Sequence, residues 1–305
     1  MIRLTIIDDL SIAFKDLGFS IKQYEDEIRN EIVLPFREAI NEFFEDIIFI
    51  PLDNIRNKTN MKSRNNLYIV TLDDGLYFPD FNFSLSLTRT ATNVSSFRNG
   101  PYILHPRNGS PSLENQVITL SEDYNRNITS KSIVICDDSI GKYGLTIKRV
   151  IELLNKHDLI VNLIFVLVNS HRKESISGIK IDSIFLDTYF INERDLYWGL
   201  PLSGISCLKD SQMLGVPTTI DFETIRNRIY PLSPEKLIGF RKCVLDFNIK
   251  FWTLLENYSN HHIYFYDCPR LQGLPAFLGF QNCRIINFLN DINMPINEIS
   301  FNDNY

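Results

Sequence analysis

The sequence predicts an α/β protein. A parallel sheet flanked by helices occupies residues 61–195, with a helical segment over 1–60 before it and a mixed, largely helical extension over 196–305 after it. Three observations lead there. The run "LIVNLIFVLVN" (159–169) is almost continuously apolar, the pattern of a strand covered on both faces. Before it, Ile147, Val150, Ile151 and Leu154 form one apolar stripe at helical spacing. Before that stripe, "SIVIC" (132–136) is a compact apolar run that ends in a polar loop. Strand, loop, helix and strand thus follow one another within about 35 residues, the length of a βαβ unit.

The remaining elements follow in chain order. From Tyr24 to Ile47 apolar residues recur at helical spacing (Ile28, Ile32, Phe36, Ile40, Phe43, Phe44, Ile47), so residues 1–50 read as mostly helical. Pro35 lacks a backbone donor and predicts a kink or two helices there. The polar, basic "NIRNKTNMKSRNN" (54–66) reads as a linker or mobile loop. "NLYIVTL" (66–72) is a compact strand, and "FNFSLSLTRT" (81–90) alternates Phe83, Leu85 and Leu87 against Asn82, Ser84 and Ser86, as a half-buried strand does. Pro101, Pro106, Gly109 and Pro111 mark an irregular stretch, with a short strand expected over Gln116 to Leu120. "IDSIFLD" (181–187) adds a strand beyond the βαβ unit. After Leu196 the pattern is irregular and then helical. Ser233-Pro234 is a good helix opening, an N-cap followed by Pro at the first helical position, with Leu237, Phe240, Val244 and Phe247 as the apolar face. "HIYFYDC" (262–268) and "RIINFL" (284–289) fit a short strand and a buried helix equally well.

Composition excludes several classes. A net charge of -6 gives no overall basic footprint, so nucleic acid is not indicated as a partner. Cys136, Cys207, Cys243, Cys268 and Cys283 are scattered, with no CxxC pair, and read as thiols of a reducing compartment rather than a disulfide framework or a zinc site. "MIRLTIIDDLSIAF" carries acids where a signal peptide has its apolar core, and no run approaches the ~20 apolar residues of a membrane span. The expectation is a cytoplasmic protein with no membrane partner.

The chemistry concentrates in "SIVICDDSIGKYGLT" (132–146). Asp137 and Asp138 stand where a buried strand reaches solvent, and adjacent carboxylates there can accept hydrogen bonds from a vicinal diol or hold a hydrated Mg2+. The loop behind them offers backbone N–H groups around Gly141 and Gly144, hydroxyls from Ser139 and Thr146, and the positive end of the following helix, which together make a phosphate cradle. A diol binder beside a phosphate cradle suggests a ribose 5-phosphate. The same letters also fit an ordinary polar βα turn, where Asp and Gly are common. They do not fit a Walker A loop, because Tyr143 follows Lys142 where Ser or Thr is required. "DDGLYFPD" (73–80) lacks the ligand pattern of an EF-hand.

"IVICDDSIGKYGLT" resembles the signature of the type I phosphoribosyltransferases, an apolar strand, two acids and a loop ending in Thr-Gly-x-Thr that opens a helix, here with one extra loop residue. Weaker similarity spans roughly residues 66 to 190 and is nearest to the hypoxanthine-guanine members: "LYIVTLDDGLYFPDF" to the strand and pyrophosphate loop, "NVSSFRNG" to the start of the flexible lid, "ITSKSIVICDD" to the lead-in and "GIKIDSIFL" to the following strand. The resemblance implies a phosphoribosyltransferase-like sheet and a Mg2+-dependent glycosyltransferase acting on phosphoribosyl pyrophosphate or a nucleotide. In that reading Asp137 and Asp138 are the catalytic pair, binding the ribose hydroxyls with the metal nearby. Ser139, Ile140, Gly141, Lys142, Tyr143, Gly144 and Thr146 hold the 5-phosphate, Asp73, Asp74 and Gly75 form the pyrophosphate loop, and Ser95, Ser96 and Phe97 begin the lid. Pyrophosphate is displaced through an oxocarbenium-like state, with positioning and charge neutralisation supplying most of the rate.

Three departures stand out. Gly141 occupies the place nearest to the acid that serves the purine in the salvage enzymes. The loop is longer, with Tyr143 beside the expected Thr-Gly, although Lys142 can pair with phosphate as a point charge. Asp73-Asp74 makes the pyrophosphate loop more acidic than an anion site favours unless a divalent metal bridges it. Two alternatives follow: a catalytically degenerate nucleotide-binding module in regulation or defence, and a nucleotide glycosidase in which water replaces the base. Residues 200–305 lie outside the resemblance, leaving a homo-oligomeric or protein partner through that segment open.

Lesser candidates complete the reading. His261-His262 are adjacent and diverge, so a shared metal is not expected. His171 and Arg172, just past the 159–169 strand, fall at the same sheet edge as the acids. "DLYWGLPLSG" (195–204) offers Tyr197 and Trp198 either as a hood over a base or as a packed aromatic corner.

Overall fold

A computed structural model describes residues 3–15, 24–60, 66–72, 75–91, 103–107, 109–127, 132–140, 143–186, 188–197, 205–209, 212–216, 232–268, 271–272, 274–275 and 281–292. In chain order the first elements are β1 (Arg3–Asp8), α1 (Leu10–Lys15), α2 (Glu25–Ile28), a π turn (Arg29–Val33), α3 (Leu34–Ile40), β2 (Asp46–Pro51), α4 (Leu52–Lys58), β3 (Leu67–Thr71), β4 (Phe83–Ser84), β5 (Leu87–Ala91) and β6 (Ile103–Pro106). There follow α5 (Leu113–Asn127), β7 (Ser132–Ser139), α6 (Leu145–Asn155), β8 (Val161–Asn169), β9 (Ser175–Ile176), β10 (Ile179–Leu186) and β11 (Tyr189–Asn192). The last are a 3-10 turn (Glu193–Leu196), β12 (Ile205–Lys209), β13 (Gln212–Val216), α7 (Pro234–Ser259), a second 3-10 turn (Phe265–Asp267) and α8 (Ile285–Ile292). The chain forms two compact units, one of Ile50–Thr90 with Ile103–Phe190, the other of Met1–Phe49, Ala91–Tyr102 and Ile191–Tyr305.

The first unit is a mixed α/β layer structure around a six-stranded sheet of order β4-β3-β7-β8-β10-β9, parallel except for the edge strand β9. On one face Tyr68, Val70, Ile133, Ile135, Ile164 and Val166 pack against Val117 and Leu120 of α5 and the Ile147, Val150, Ile151 and Leu154 stripe of α6. On strand alternation the opposite face carries Val134, Cys136 and Leu167, all buried, and Phe165, whose ring meets Phe78 edge-on at 5.9 Å. β8 is therefore covered on both sides, as its unbroken apolar run requires.

Three expectations in this unit change. Gln116 to Leu120 is helix within α5, not strand, because Leu113, Val117, Leu120 and Tyr124 share one helical face against the sheet. The 81–90 strand divides into β4, paired with β3, and β5, paired antiparallel with β6. The break at Ser86 is held by the buried Gln116 amide, which accepts from Ser86 N at 2.8 Å and donates to Ser86 O at 3.2 Å, so the chain leaves one ladder without orphaning its backbone. Part of the 54–66 linker is helix: Leu52 and Ile55 turn inward on α4, and Arg56 Nε donates to Leu76 O at 3.0 Å.

In the second unit β1 lies between β11 and β2, with Leu4, Ile6 and Ile7 fully buried. The segment expected to be mostly helical thus also carries two strands, β1 and β2. "LTII" and "IIFI" are rich in β-branched residues that fit either period, and pairing to a neighbour decides. Pro35 sits in the first turn of α3 behind the π turn, where Leu34 N–H donates to Arg29 O, so the helix passes the proline by widening rather than breaking. α7 opens as expected, with Ser233 Oγ accepting from Lys236 N. Its buried face meets the N-terminal segment through Phe36 on Phe247 and Phe43 and Phe44 on Phe240. Residues 262–268 contain the second 3-10 turn, and 284–289 fall in α8 apart from Arg284, which bridges to Tyr264. Among the described residues no helix is long and apolar enough to cross a membrane.

Candidate functional site

β7 runs through Ser139, three residues beyond the expected Cys136. The extension is a consequence of pairing: Asp137 lies opposite Val166 and Ser139 opposite Val168, and Ile140 N donates to Val168 O at 3.0 Å. The two acids are therefore the last turn of the strand's pleat rather than the start of the loop. Side-chain alternation puts Asp137 on the face of Ile135 and Asp138 on the face of Cys136. Both are half-buried. Asp137 Oδ1 accepts from the Asp138 N–H at 2.9 Å, and Asp138 Oδ1 accepts from Ser139 Oγ at 3.0 Å. Among the described residues that hydroxyl is the only hydrogen-bond partner of the Asp138 carboxylate, leaving Oδ2 open to a ligand at the rim.

Behind the strand, Ile140 is buried and Tyr143 is exposed. Gly144 N-caps α6 at φ +60°, and a Cβ there would stand 2.3 Å from Ile176 Cδ1. Glycine is required twice, by the left-handed backbone and by the close approach of the β9 strand. No side chain caps α6 from Gly144, so its first-turn N–H groups, with half-buried Thr146 among them, present a positive end toward the loop. Gly141 and Lys142 lie outside the described residues.

The neighbouring strand brings the second expected loop alongside. Thr71 of β3 is opposite Cys136 of β7, and Leu72 N donates to Cys136 O at 2.9 Å, so the chain leaving β3 emerges beside Asp137. Gly75 follows at φ +76°, with the Phe81 ring packed where a Cβ would be. Asp73 and Asp74, and the expected lid residues Ser95, Ser96 and Phe97, lie outside the described residues. On the other side, Asn169 closes a turn by accepting from Lys173 N at 3.0 Å and donating to Lys173 O at 2.8 Å, which places exposed His171 and Arg172 at the same edge. Sequence reading missed Lys58, whose ammonium lies 5.1 Å over the Phe185 ring, on the row that runs Ser139, Val168, Phe185 across the strands.

The donor set bears on Mg2+. Among the described residues no group of three or more His, Cys, Asp and Glu gathers as a metal cage. Two half-buried carboxylates at a strand end instead suit a hydrated ion held through one or two carboxylates and a ligand's own oxygens. His261 and His262 do not converge: Nδ1 of the first contacts Ser259 O and Nδ1 of the second contacts Glu256. Tyr197 is a packed aromatic corner, fully buried edge-on to Phe36 and Phe251, while Trp198 lies outside the described residues.

A second charged cluster, in the other unit, escaped the sequence reading. β1 ends on Asp8, and Asp9 follows it directly. Asp8 pairs with Arg29 at 3.3 Å and Arg37 at 3.0 Å, Arg37 forks onto Glu193, and Asp9 accepts from Arg194 N at 3.0 Å and pairs with its guanidinium. Burial pushes the Glu193 carboxyl up to about 7; Arg37 pulls it down, and Asp8 and Asp9 push it further up. Burial works against the Arg37 charge, but Glu193 and Asp8 hold its pKa above the ordinary value. The available signal was "TIIDD" at 5–9, the same strand-then-two-acids pattern as "VICDD" at 134–138.

No protein-family model matches the chain, and no curated protein or solved structure matches it either.

Proposed function

We propose that the sheet edge formed by Asp137 to Thr146 binds phosphoribosyl pyrophosphate or a nucleotide 5-phosphate and transfers the phosphoribosyl group to or from a base, in a phosphoribosyltransferase-like fold. One observation carries the reading. β3 and β7 are adjacent parallel strands in register at Thr71 and Cys136, so the acidic pair and the loop containing Gly75 leave the sheet side by side at its C-terminal edge, where ligands of open α/β sheets bind. Asp137 and Asp138 accept hydrogen bonds from the ribose hydroxyls, one from each face of the strand end. The uncapped start of α6 takes the 5-phosphate, with Gly144 keeping the backbone close. Mg2+, when bound with the substrate, neutralises pyrophosphate charge. As the base nitrogen bonds to the anomeric carbon, the bond from that carbon to pyrophosphate breaks and pyrophosphate carries off the electron pair. The protein's work is alignment and charge compensation.

A second reading is binding without turnover. It is favoured by Gly141, the position nearest to the acid that the purine-salvage enzymes carry in this loop. The test is pyrophosphate release from phosphoribosyl pyrophosphate with a panel of bases, and calorimetric binding, for the native chain and Asp138→Asn. Release lost in the variant supports transfer. Binding with no release supports the second reading, and nucleotide cleavage without added pyrophosphate supports a glycosidase. A native chain that binds no phosphoribosyl compound or nucleotide overturns all three.

A further inference from the structure

The acid–arginine cluster at the end of β1 contains groups that its ion pairs leave unused. Tyr197 Oη is completely buried and finds no hydrogen-bond partner among the described residues, and Oδ1 of Asp8 is in the same position although its Oδ2 pairs with both arginines. Both belong to one cluster: the Tyr197 N–H donates to Arg194 O in the turn that begins at Glu193, its ring packs edge-on against Phe36, and the next residue, Arg37, joins Glu193 to Asp8. One orphan can donate and the other can only accept. Leaving both unpaired in a low-dielectric interior is costly, and buried polar groups in folded proteins are almost always satisfied.

The chemistry narrows what could join them. A cation is disfavoured by Arg29 and Arg37, and an anion finds the Arg37 fork already taken by Glu193 and Asp8. The Glu193 side chain and Tyr197 are each 1% exposed, so this end of the cluster has room for a small neutral group at most. A neutral group that accepts one proton and donates another fits both orphans. We propose that an internal water held between Tyr197 Oη and Asp8 Oδ1 completes the network, accepting from the phenol and donating to the carboxylate. Internal waters occupy such places when two to four polar partners surround them. Burial holds the phenol well above its ordinary pKa, so it remains a donor throughout the neutral range. The water ties the turn that begins at Glu193 to the end of β1 and, through Arg37, to α3.

A crystal structure of the full chain, at a resolution where internal waters are seen, tests the site directly. An ordered water within about 3.2 Å of both atoms is expected. A direct Tyr197–Asp8 hydrogen bond, or no density between them, overturns the proposal. Denaturant unfolding supplies a second readout. Tyr197→Phe is expected to raise the unfolded fraction about tenfold, and that loss should shrink to about threefold or less in an Asp8→Asn background, because the two residues share one partner. Tyr197→Phe as stable as the native chain would mean that the hydroxyl is carried unsatisfied and would sink the idea. Should Asp8→Asn not fold, a crystal structure of Tyr197→Phe decides: the water must vanish or move.

Discussion

Thr71 of β3 lies directly opposite Cys136 of β7. Because the strands are parallel, this pair sets where both chains leave the sheet, and a slip of one residue would turn each set of side chains to the wrong face. Ile69, Val134 and Cys136 are buried on one face and Tyr68, Val70, Ile133 and Ile135 on the other, so burial locks the register. That Asp137 and Asp138 stand beside the chain leaving β3 at Leu72 is thus a by-product of core packing.

Gly144→Ala should cost more than its backbone strain. A φ of +60° costs an L residue about 1–2 kcal/mol, and the new Cβ must displace Ile176, which is 7% exposed and held in the core. Gly178 has a similar φ of +79° with nothing within 4 Å of the added Cβ. Urea unfolding of the two alanine variants should therefore show Gly144→Ala less stable by about 1 kcal/mol or more. Equal losses would refute the packing role assigned to Gly144.

The two strand-end acid pairs should behave oppositely. Asp9 is wholly buried and holds both the Arg194 backbone N–H and its guanidinium, so Asp9→Ala strands a buried cation and should destabilise by about 3 kcal/mol or more. Asp138 is half-buried with one hydroxyl partner, so Asp138→Asn should change stability by about 0.5 kcal/mol or less while weakening phosphoribosyl binding at least about tenfold. Calorimetric binding and thermal unfolding on the same samples separate the two effects.

Glu193 predicts a pH dependence with a definite sign. Its carboxyl is raised from 4.5 to about 7 in the fold, so between these values the native chain holds a proton that the unfolded chain has released. Stability from this group is fully present below about 4.5 and is lost as pH rises toward 7, with a slope of at most about 1.4 kcal/mol per pH unit for the one proton. Glu193→Gln should flatten that slope in a series of denaturant titrations. An unchanged slope would assign it elsewhere.

The sheet was legible where burial leaves one periodicity. The runs at 67–71, 132–136 and 161–169 alternate with the α6 stripe in the order of a βαβ unit, and the candidate rim follows from that order. What was not legible depends on contacts remote in sequence. Ile47 to Ile50 continue a helical spacing yet become β2, because β1 offers a free ladder. Gln116 to Leu120 looks like a strand until Leu113 and Tyr124 are seen to share its buried face. Asp8 and Asp9 carry no local sign of a buried cluster, since nothing near them in sequence reveals that Arg37 and Arg194 will neutralise them. Asp137 and Asp138 mark where the apolar run reaches solvent, and only pairing with β8 shows that the strand continues through them to Ser139.

Gln116 offers a sharper test of how the chain leaves the parallel sheet. Its amide accepts from Ser86 N at 2.8 Å and donates to Ser86 O at 3.2 Å and Pro111 O at 2.8 Å, all from a side chain 6% exposed. Gln116→Leu preserves size and apolar burial but leaves the Ser86 N–H and the Pro111 carbonyl without their partner, while Ser86 O keeps the Arg107 N–H, at a cost of about 1–3 kcal/mol. Gln116→Glu keeps the acceptor and sets a carboxylate against two carbonyl oxygens, which raises its pKa. The folded state then favours the protonated acid, whose O–H can donate again, so this variant should be least stable at neutral pH and recover as pH falls toward 4. Gln116→Leu should show no such recovery relative to the native chain. If both variants track each other across pH, the amide is not what holds the break at Ser86, and the division between β4 and β5 must be imposed by Leu85 and Leu87 alone.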